Sequence, residues 1–150
     1  MRFAAAPQNS KTNIPMKKPT WLATLALSAL GVLLAAEGQD IESMPPVVVK
    51  TVPESGARDV APDIVEIKVT FSKEMADNSW SWSTAWQGST PETLGKPKYE
   101  ADRKTCVLKV KLEPNKTYAY WLNSEKFKNF KDRQGHSAVP YLLVFQTKNK

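Results

Sequence analysis

The feature that most constrains the fold is a strict alternation of apolar and polar side chains from Val65 to Ser72, within the segment IVEIKVTFS, residues 64–72. The odd-numbered positions are apolar and the even-numbered ones polar: Val65, Ile67, Val69 and Phe71 alternate with Glu66, Lys68, Thr70 and Ser72. Successive side chains of a β-strand point to opposite faces of a sheet. The segment therefore predicts a strand with one face buried and the other in water.

Comparable segments follow along the chain, separated by turn residues. VVVKTV and YLLVFQT are rich in β-branched and aromatic residues, TYAYWLN alternates, and KYEADRKTCVLKVKL predicts a hairpin that turns near residues 102–104. The tryptophan-rich segment DNSWSWSTAW is a further candidate strand, and QGSTPETLGKP is expected to be a loop. We find no convincing amphipathic helix after residue 40. About seven short strands predict an all-β fold, an antiparallel β-sandwich.

The first part of the chain has the layout of a secretory signal. The segment MKKPTWLATLALSALGVLLAAEGQ begins at Met16 with two lysines, continues with an apolar run and ends in small residues. We expect residues 1–38 to be a signal segment, with Met16 as the true start and cleavage after Ala36 or Gly38. The alternative is an uncleaved anchor, for which the apolar run is at the short edge of what crosses a bilayer.

Downstream of that segment we expect a linker at residues 39–45 and a single domain at residues 46–148. The net charge of +6 is divided between the two parts: residues 1–38 hold four basic groups and one acidic group, and the other 112 residues hold 17 and 14. So small a basic excess is not typical of a nucleic-acid-binding domain. We expect no nucleic-acid partner, and membrane contact only through the N-terminal segment if it stays uncleaved. The predicted location is the periplasm, the cell envelope or the extracellular space.

The residue types needed for catalysis or metal binding do not cluster. The one cysteine, Cys106, falls on the apolar phase of its strand, which is typical of a buried thiol, and the one histidine, His136, lies in a turn. Asp59, Asp63 and Asp132 also stand in turns, where turn formation explains them more simply than calcium binding. No pair of carboxylates is singled out for acid–base chemistry. We therefore expect no catalytic residue, no metal ion and no cofactor.

Three motifs stand in a characteristic order along the predicted domain. The first, P-x-x-G-A-x-x-V followed by F-S-x-x-M, is formed by Pro53, Gly56, Ala57, Val60, Phe71, Ser72 and Met75. The second, L-x-P-x-x-x-Y, is formed by Leu112, Pro114 and Tyr118, and the last by Asp132, Gly135, Tyr141, Phe145 and Thr147. Together they resemble the bacterial Ig-like domain of S-layer and other cell-surface proteins, over about residues 45–148.

This resemblance implies an Ig-like antiparallel β-sandwich that serves as a spacer, an adhesion module or a ligand-presenting module outside the cell, with no family active site. It also implies a tyrosine corner, in which the buried ring of Tyr118, four residues after Pro114, returns its hydroxyl to the backbone. The middle of the chain departs from the family, because WSWSTAW stands where members usually carry small β-branched residues. We expect the features particular to this protein there.

Four tryptophans are therefore candidate ligand-binding residues: Trp80, Trp82, Trp86 and Trp121. If residues 79–86 form one strand, the first three share a face, which either joins the core or forms a platform for sugar rings or a protein partner. We expect a non-catalytic module for binding or structural spacing at the cell envelope or outside the cell. The alternative is a carbohydrate-binding module that uses exposed tryptophans.

Trp121 also belongs to a second candidate surface. If Tyr118 points inward, Trp121 points outward, and so do Leu142 and Val144 on the last strand, which an Ig-like order places beside it. This apolar patch either meets a protein, a polysaccharide or a second copy, or is covered by Phe127 and Phe130 of the long connection.

Overall fold

The structure of the chain is a computed structural model that describes residues 40–149. The predicted signal segment, the start at Met16 and residue 39 of the predicted linker lie outside the described residues. Within this range the chain forms a 3-10 helix at Ile41–Ser43 and eight strands: β1 Val48–Val52, β2 Ile64–Phe71, β3 Trp82–Thr84, β4 Glu92–Thr93, β5 Lys98–Tyr99, β6 Thr105–Lys111, β7 Thr117–Leu122 and β8 Tyr141–Gln146. No helix in residues 40–149 is long and apolar enough to span a membrane.

The strands form two antiparallel sheets that pack into a sandwich. In the larger sheet the order is β1-β2-β6-β4, and β5 also pairs with β6. In the smaller sheet the order is β3-β7-β8, so the strands that carry Trp121 and Leu142 are neighbours, as the sequence predicted. The predicted all-β antiparallel sandwich is confirmed.

The sequence prediction is wrong at β4, which was expected to be part of a loop. Glu92 and Thr93 pair with Lys111 and Val110 at the end of β6. A strand of two residues is too short to show a period of two, so only its partner strand reveals it.

The alternating residues of β2 supply one wall of the core. Ile67, Val69 and Phe71 are buried, and the pairing of β2 with β6 places Ile67 opposite Leu108 and Val69 opposite Cys106. The smaller sheet supplies the other wall, with Tyr118, Tyr120, Leu122, Leu143 and Phe145. Since burial of such side chains is the main favourable contribution to folding, the alternation sets which faces meet.

Val107 is buried on a face of β6 that also carries charged residues. It shares a face with Lys109 and Lys111, which are exposed, and yet Val107 is only 3% exposed. Its register partners are Lys68 on β2 and Lys98 on β5. Lysine stems commonly cover apolar surface while the ammonium group stays in water, which accounts for a buried valine on a charged face.

Residues 55–60, the segment after β1, lie along the edge of β8 that does not face β7. Val60 pairs in parallel with Thr147 at the end of this stretch. The chain therefore leaves the larger sheet after β1 and joins the smaller one, which closes that edge against pairing with another chain.

A tyrosine corner joins β6 to β7. The ring of Tyr118 is buried, and its hydroxyl accepts a hydrogen bond of 2.8 Å from the backbone N–H of Glu113. Between the two residues, Asn115 takes a positive φ of 54°, a conformation that asparagine adopts more readily than most residues. The corner therefore fixes where β7 begins.

We expect Tyr118→Phe to lower the free energy of unfolding by about 1–3 kcal/mol, because the N–H of Glu113 loses its acceptor. Urea unfolding followed by circular dichroism measures this loss. Tyr141→Phe is the matched control, since the Tyr141 hydroxyl makes no hydrogen bond to residues 40–149. Equal unfolding midpoints for the two variants would contradict a stabilising corner.

Candidate functional site

The three clustered tryptophans do not share one strand face. Trp80 and Trp82 are half-buried and pack against the core, whereas Trp86 lies in the turn after β3 and is 48% exposed. The prediction of a common face is therefore wrong for Trp86. Buried Ser89 gives the reason: its hydroxyl accepts from the N–H groups of Ala85 and Trp86 and donates to the carbonyl of Ala119. These bonds end β3 before Trp86.

Trp82 belongs to an aromatic cluster between the sheets. Its ring meets Tyr120 edge-on at a centroid distance of 5.3 Å and Phe130 at 5.9 Å, and Phe130 lies 5.0 Å from Phe71. Aromatic pairs prefer such tilted geometries, which stabilise them beyond the area they bury. Trp82 is therefore mainly a core residue.

Phe130 does not cover the outer face of the smaller sheet, contrary to one of the two expectations for that surface. It is fully buried in the core, held by Asn123, whose side-chain amide accepts from the Phe130 N–H and donates to the carbonyls of Phe130 and Ala138. Asn123 itself is buried with a positive φ of 57°. The long connection after β7 thus contributes a core ring instead of an outer cover.

The outer face of the smaller sheet carries the predicted apolar residues. Trp121 lies opposite Ser83 on β3 and Leu142 on β8, and Val144 lies opposite Ala119. Leu142 is 37% exposed, and Trp121 and Val144 are half-buried. Trp121 borders a shallow groove of about 440 Å³ together with Pro140 and the connection at residues 124–126.

A second groove, here called the aromatic groove, opens between the sheets beside β3 and β4. Its volume is about 640 Å³. The lining residues lie on β3, β4, β6 and β7 and in the connections next to these strands, and include Trp80, Trp82, Thr84, Thr93, Tyr120 and Phe127. Phe127, the other ring proposed as a cover for Trp121, lies at this groove and is 53% exposed.

Two buried polar atoms of the lining residues lack a hydrogen-bond partner among residues 40–149: the Trp82 Nε1 and the Tyr120 hydroxyl. The indole N–H lies near the Cys106 thiol, which is a weak acceptor, and the phenol lies near Thr93, but neither contact has hydrogen-bond geometry. Burial raises the pKa of Tyr120 to about 12, which the neighbouring Thr93 opposes. The phenol is therefore neutral and able to donate at physiological pH.

Comparison with known proteins gives this sandwich its family. Residues 42–147 match the family described as bacterial Ig-like domain. The chain belongs to that family. No curated protein matches the chain.

A solved S-layer protein is similar to this Ig-like domain at low identity. It is the crystal structure of the S-layer protein rSbsC(31-844), with 18% sequence identity and a TM-score of 0.45. The alignment covers 70% of this chain and 14% of that chain, so the chain spans a small part of the S-layer protein's length. Family membership makes a non-catalytic extracellular or cell-surface module the general functional class.

The Ig-like domain also contains a buried ion pair that sequence patterns did not single out. The Lys73 ammonium lies 2.6 Å from the Asp132 carboxylate, and both side chains are almost completely buried. The same ammonium donates to the backbone carbonyl of Glu42 at 2.8 Å. The His136 Nδ1 lies 2.9 Å from the same Asp132 oxygen as the ammonium. Lys73 directly follows Phe71 and Ser72 of the first motif, and Asp132 is the first residue of the last motif. The order of these motifs was therefore the one sequence signal that pointed to the two residues.

Several charges determine the ionisation of Asp132. Burial by itself raises the pKa of this carboxyl group, but Lys73, the His136 ring and the His136 backbone N–H more than compensate and hold the pKa below its usual value. Asp132 is thus an anion at neutral pH. The pair fastens the 3-10 helix segment, the connection after β2 and the turn at residues 132–136 to one another.

Cys106 and His136 are not brought together. Cys106 is fully buried, and burial raises the pKa of its thiol to about 12, so it is not a nucleophile. The partly exposed His136 ring contacts the buried Asp132 carboxylate instead. Within residues 40–149 no group of three or more His, Cys, Asp or Glu side chains could hold a metal ion.

We expect Asp132→Asn to destabilise the Ig-like domain by about 3–5 kcal/mol near neutral pH, because it leaves the Lys73 charge buried without a counter-charge. The pKa of Asp132 is lower in the folded chain than the unfolded value of about 3.9, so its ionised form stabilises the fold above about pH 4. This contribution is lost as the pH falls through the lowered folded pKa. Urea unfolding at a series of pH values should therefore show the gap between wild type and variant narrowing in acid.

The control for this experiment is Glu74→Gln, which removes an exposed ion pair with Arg133 at 3.2 Å. Exposed pairs contribute about 0–1 kcal/mol, so this variant should unfold almost like the wild type. A gap for Asp132→Asn that stays constant down to about pH 2 would show that the carboxylate charge does not stabilise the fold.

Proposed function

We propose that this Ig-like domain is an exported, non-catalytic structural spacer that resists tension at the cell envelope or outside the cell. The observation that carries the proposal is the parallel pairing of residues 56–60, near the start of the domain, with residues 144–148, at its end. Export itself rests on the predicted signal segment, which stays a prediction.

Four backbone hydrogen bonds form this pairing, here called the terminal clamp. The N–H groups of Gly56 and Val60 donate to β8 carbonyls at 2.6 and 3.2 Å, and the N–H groups of Gln146 and Lys148 donate back at 2.8 and 2.9 Å. The Ser55 hydroxyl adds bonds of 3.2 Å to the backbone of Leu142 and Val144.

The direction of the terminal clamp determines how it responds to force. Tension applied at the two ends of the domain pulls residues 56–60 and 144–148 in opposite directions along the strand axis. The hydrogen bonds are then loaded together in shear, whereas strands separated from one end break their bonds one at a time. Such an arrangement raises the barrier to forced unfolding, which is a kinetic property.

The segments beside the terminal clamp are also fastened to the domain. At the start, buried Lys73 binds the carbonyl of Glu42, and the Val139 N–H donates to the carbonyl of buried Pro46. At the end, the Thr147 hydroxyl donates to the carbonyl of Glu113 at 2.7 Å. Force that enters at either end therefore reaches the sandwich through ordered segments.

A binding role is the second candidate, because the domain presents aromatic side chains to solvent. Trp86 is 48% exposed, and Trp121 with Leu142 forms an apolar strip on the outer face of the smaller sheet. A protein or a polysaccharide at the cell surface is the kind of partner that such surfaces fit.

Single-molecule force measurements on the full chain test the spacer role. In one variant, Ile41→Cys and Asn149→Cys attach the handles, so that tension reaches the terminal clamp. In the matched control, Ala101→Cys and Glu125→Cys attach them at exposed sites outside it. Buried Cys106 does not compete for the handles, because its thiol stays protonated. We expect a clearly higher unfolding force in the first geometry.

Val60→Pro removes the N–H that donates to Gln146. It should lower the unfolding force strongly in the first geometry and much less in the second. Equal forces in both geometries, or an equal effect of the proline on both, would contradict a tension-bearing role.

A further inference from the structure

The aromatic groove differs in charge from four other grooves of the domain. None of the side chains of residues 40–149 that line it is charged. Four other surface grooves each include a charged side chain, among them Arg103, Lys73, Lys126 and Lys50. A charged ligand would find no counter-charge among the lining side chains, which favours a neutral ligand.

The groove combines aromatic rings with hydroxyl and amide groups. Trp80, Trp82 and Phe127 supply ring surface, Thr84 and Thr93 supply hydroxyl groups, and Asn129 supplies an amide. A pyranose ring has the matching chemistry, since its C–H groups form apolar faces and its hydroxyl groups project from its edge. The volume of about 640 Å³ lies within the range of about 300–1,000 Å³ that is usual for small-molecule sites.

The walls of the groove are held in place before any ligand arrives. Tyr99 donates its hydroxyl to the carbonyl of Ser79 at 3.1 Å, and the Ser79 hydroxyl donates to the carbonyl of Asn129. These bonds fix the backbone next to Trp80. The Ser124 hydroxyl accepts from the Phe127 N–H at 3.2 Å, which fixes the turn that carries the Phe127 ring. Fixed walls reduce the entropy lost on binding.

The buried polar atoms of the lining residues point to a ligand with hydroxyl groups. The Tyr120 side chain is 3% exposed, and its hydroxyl has no hydrogen-bond partner among the described residues. A buried polar group without a partner is unfavourable, and most such groups in folded proteins are satisfied. A ligand hydroxyl at the groove wall formed by Tyr120 and Thr93 would supply the missing partner.

We propose that the aromatic groove binds a neutral sugar unit of a polysaccharide, stacked on the rings of Trp80, Trp82 and Phe127 and hydrogen-bonded at Thr93 and Tyr120. Trp86, which is exposed, and Trp121, which is half-buried, take no part. The groove adds a binding site to the spacing role and does not depend on it, because the terminal clamp lies on other residues.

Titration of the full chain with cellohexaose and with maltohexaose tests this site, with hexagalacturonate as the charged comparison. Two-dimensional ¹H–¹⁵N NMR spectra of the ¹⁵N-labelled chain show one indole N–H signal for each tryptophan. Single Trp→Phe variants assign each signal to its residue. We expect at least one neutral hexaose to shift the signals of Trp80 and Trp82 in a saturable way. The signals of Trp86 and Trp121 should stay in place, and hexagalacturonate should have no effect.

Two variants separate binding from folding. Phe127→Ala, at an exposed site on the groove rim, should weaken binding about tenfold. Tyr120→Phe should weaken it about threefold to tenfold while leaving stability unchanged, since the hydroxyl has no partner within the described structure. Trp86→Ala is the matched aromatic control and should bind like the wild type.

Three results would overturn the proposal. In the first, neither neutral hexaose shifts the Trp80 and Trp82 signals. In the second, the shifts occur only at Trp86 or Trp121, or hexagalacturonate binds equally well. In the third, Phe127→Ala and Tyr120→Phe both bind with the wild-type affinity.

Discussion

A buried ion pair joins parts of the chain that are far apart in sequence. Lys73 stands just after β2 and Asp132 in the connection before β8, and their charged atoms meet at 2.6 Å out of contact with water. Moving two charges out of water is unfavourable, and only good geometry with further hydrogen bonds compensates for it. Glu42 and His136 supply those bonds. The position of the segment before β1 and the path of the last connection both follow from this contact.

Around that contact the larger sheet and the smaller sheet obtain their core in different ways. β2 and β6 pair in a regular register, which places Ile67 opposite Leu108 and Val69 opposite Cys106 in the core. β3 has three residues, too few to cover its share of the core, and Phe130 from the connection after β7 fills the remaining space. The smaller sheet therefore relies on a loop residue where the larger one relies on strands.

The sequence predicts those parts of the fold whose information is local. The period of two identifies β2 and β7, the β-branched and aromatic residues identify β8, and the spacing of Pro114 and Tyr118 identifies the corner. The path of the Trp86 turn could not be predicted in this way, because it depends on Ser89 bonding to Ala119 on a distant strand. Lys73 and the aromatic groove share that difficulty. A lysine after a strand is ordinarily exposed, and a groove between two sheets is assembled from residues scattered over half of the domain.

The ion pair also has a consequence for how this domain can change during evolution. Replacing Lys73 alone or Asp132 alone leaves one buried charge behind, whereas replacing both with apolar residues of similar volume can be nearly neutral. The two positions are therefore strongly epistatic. Homologous sequences that derive from this chain should therefore retain both residues or replace both. Sequences that keep only one partner should be rare, or should carry a new partner at a neighbouring position.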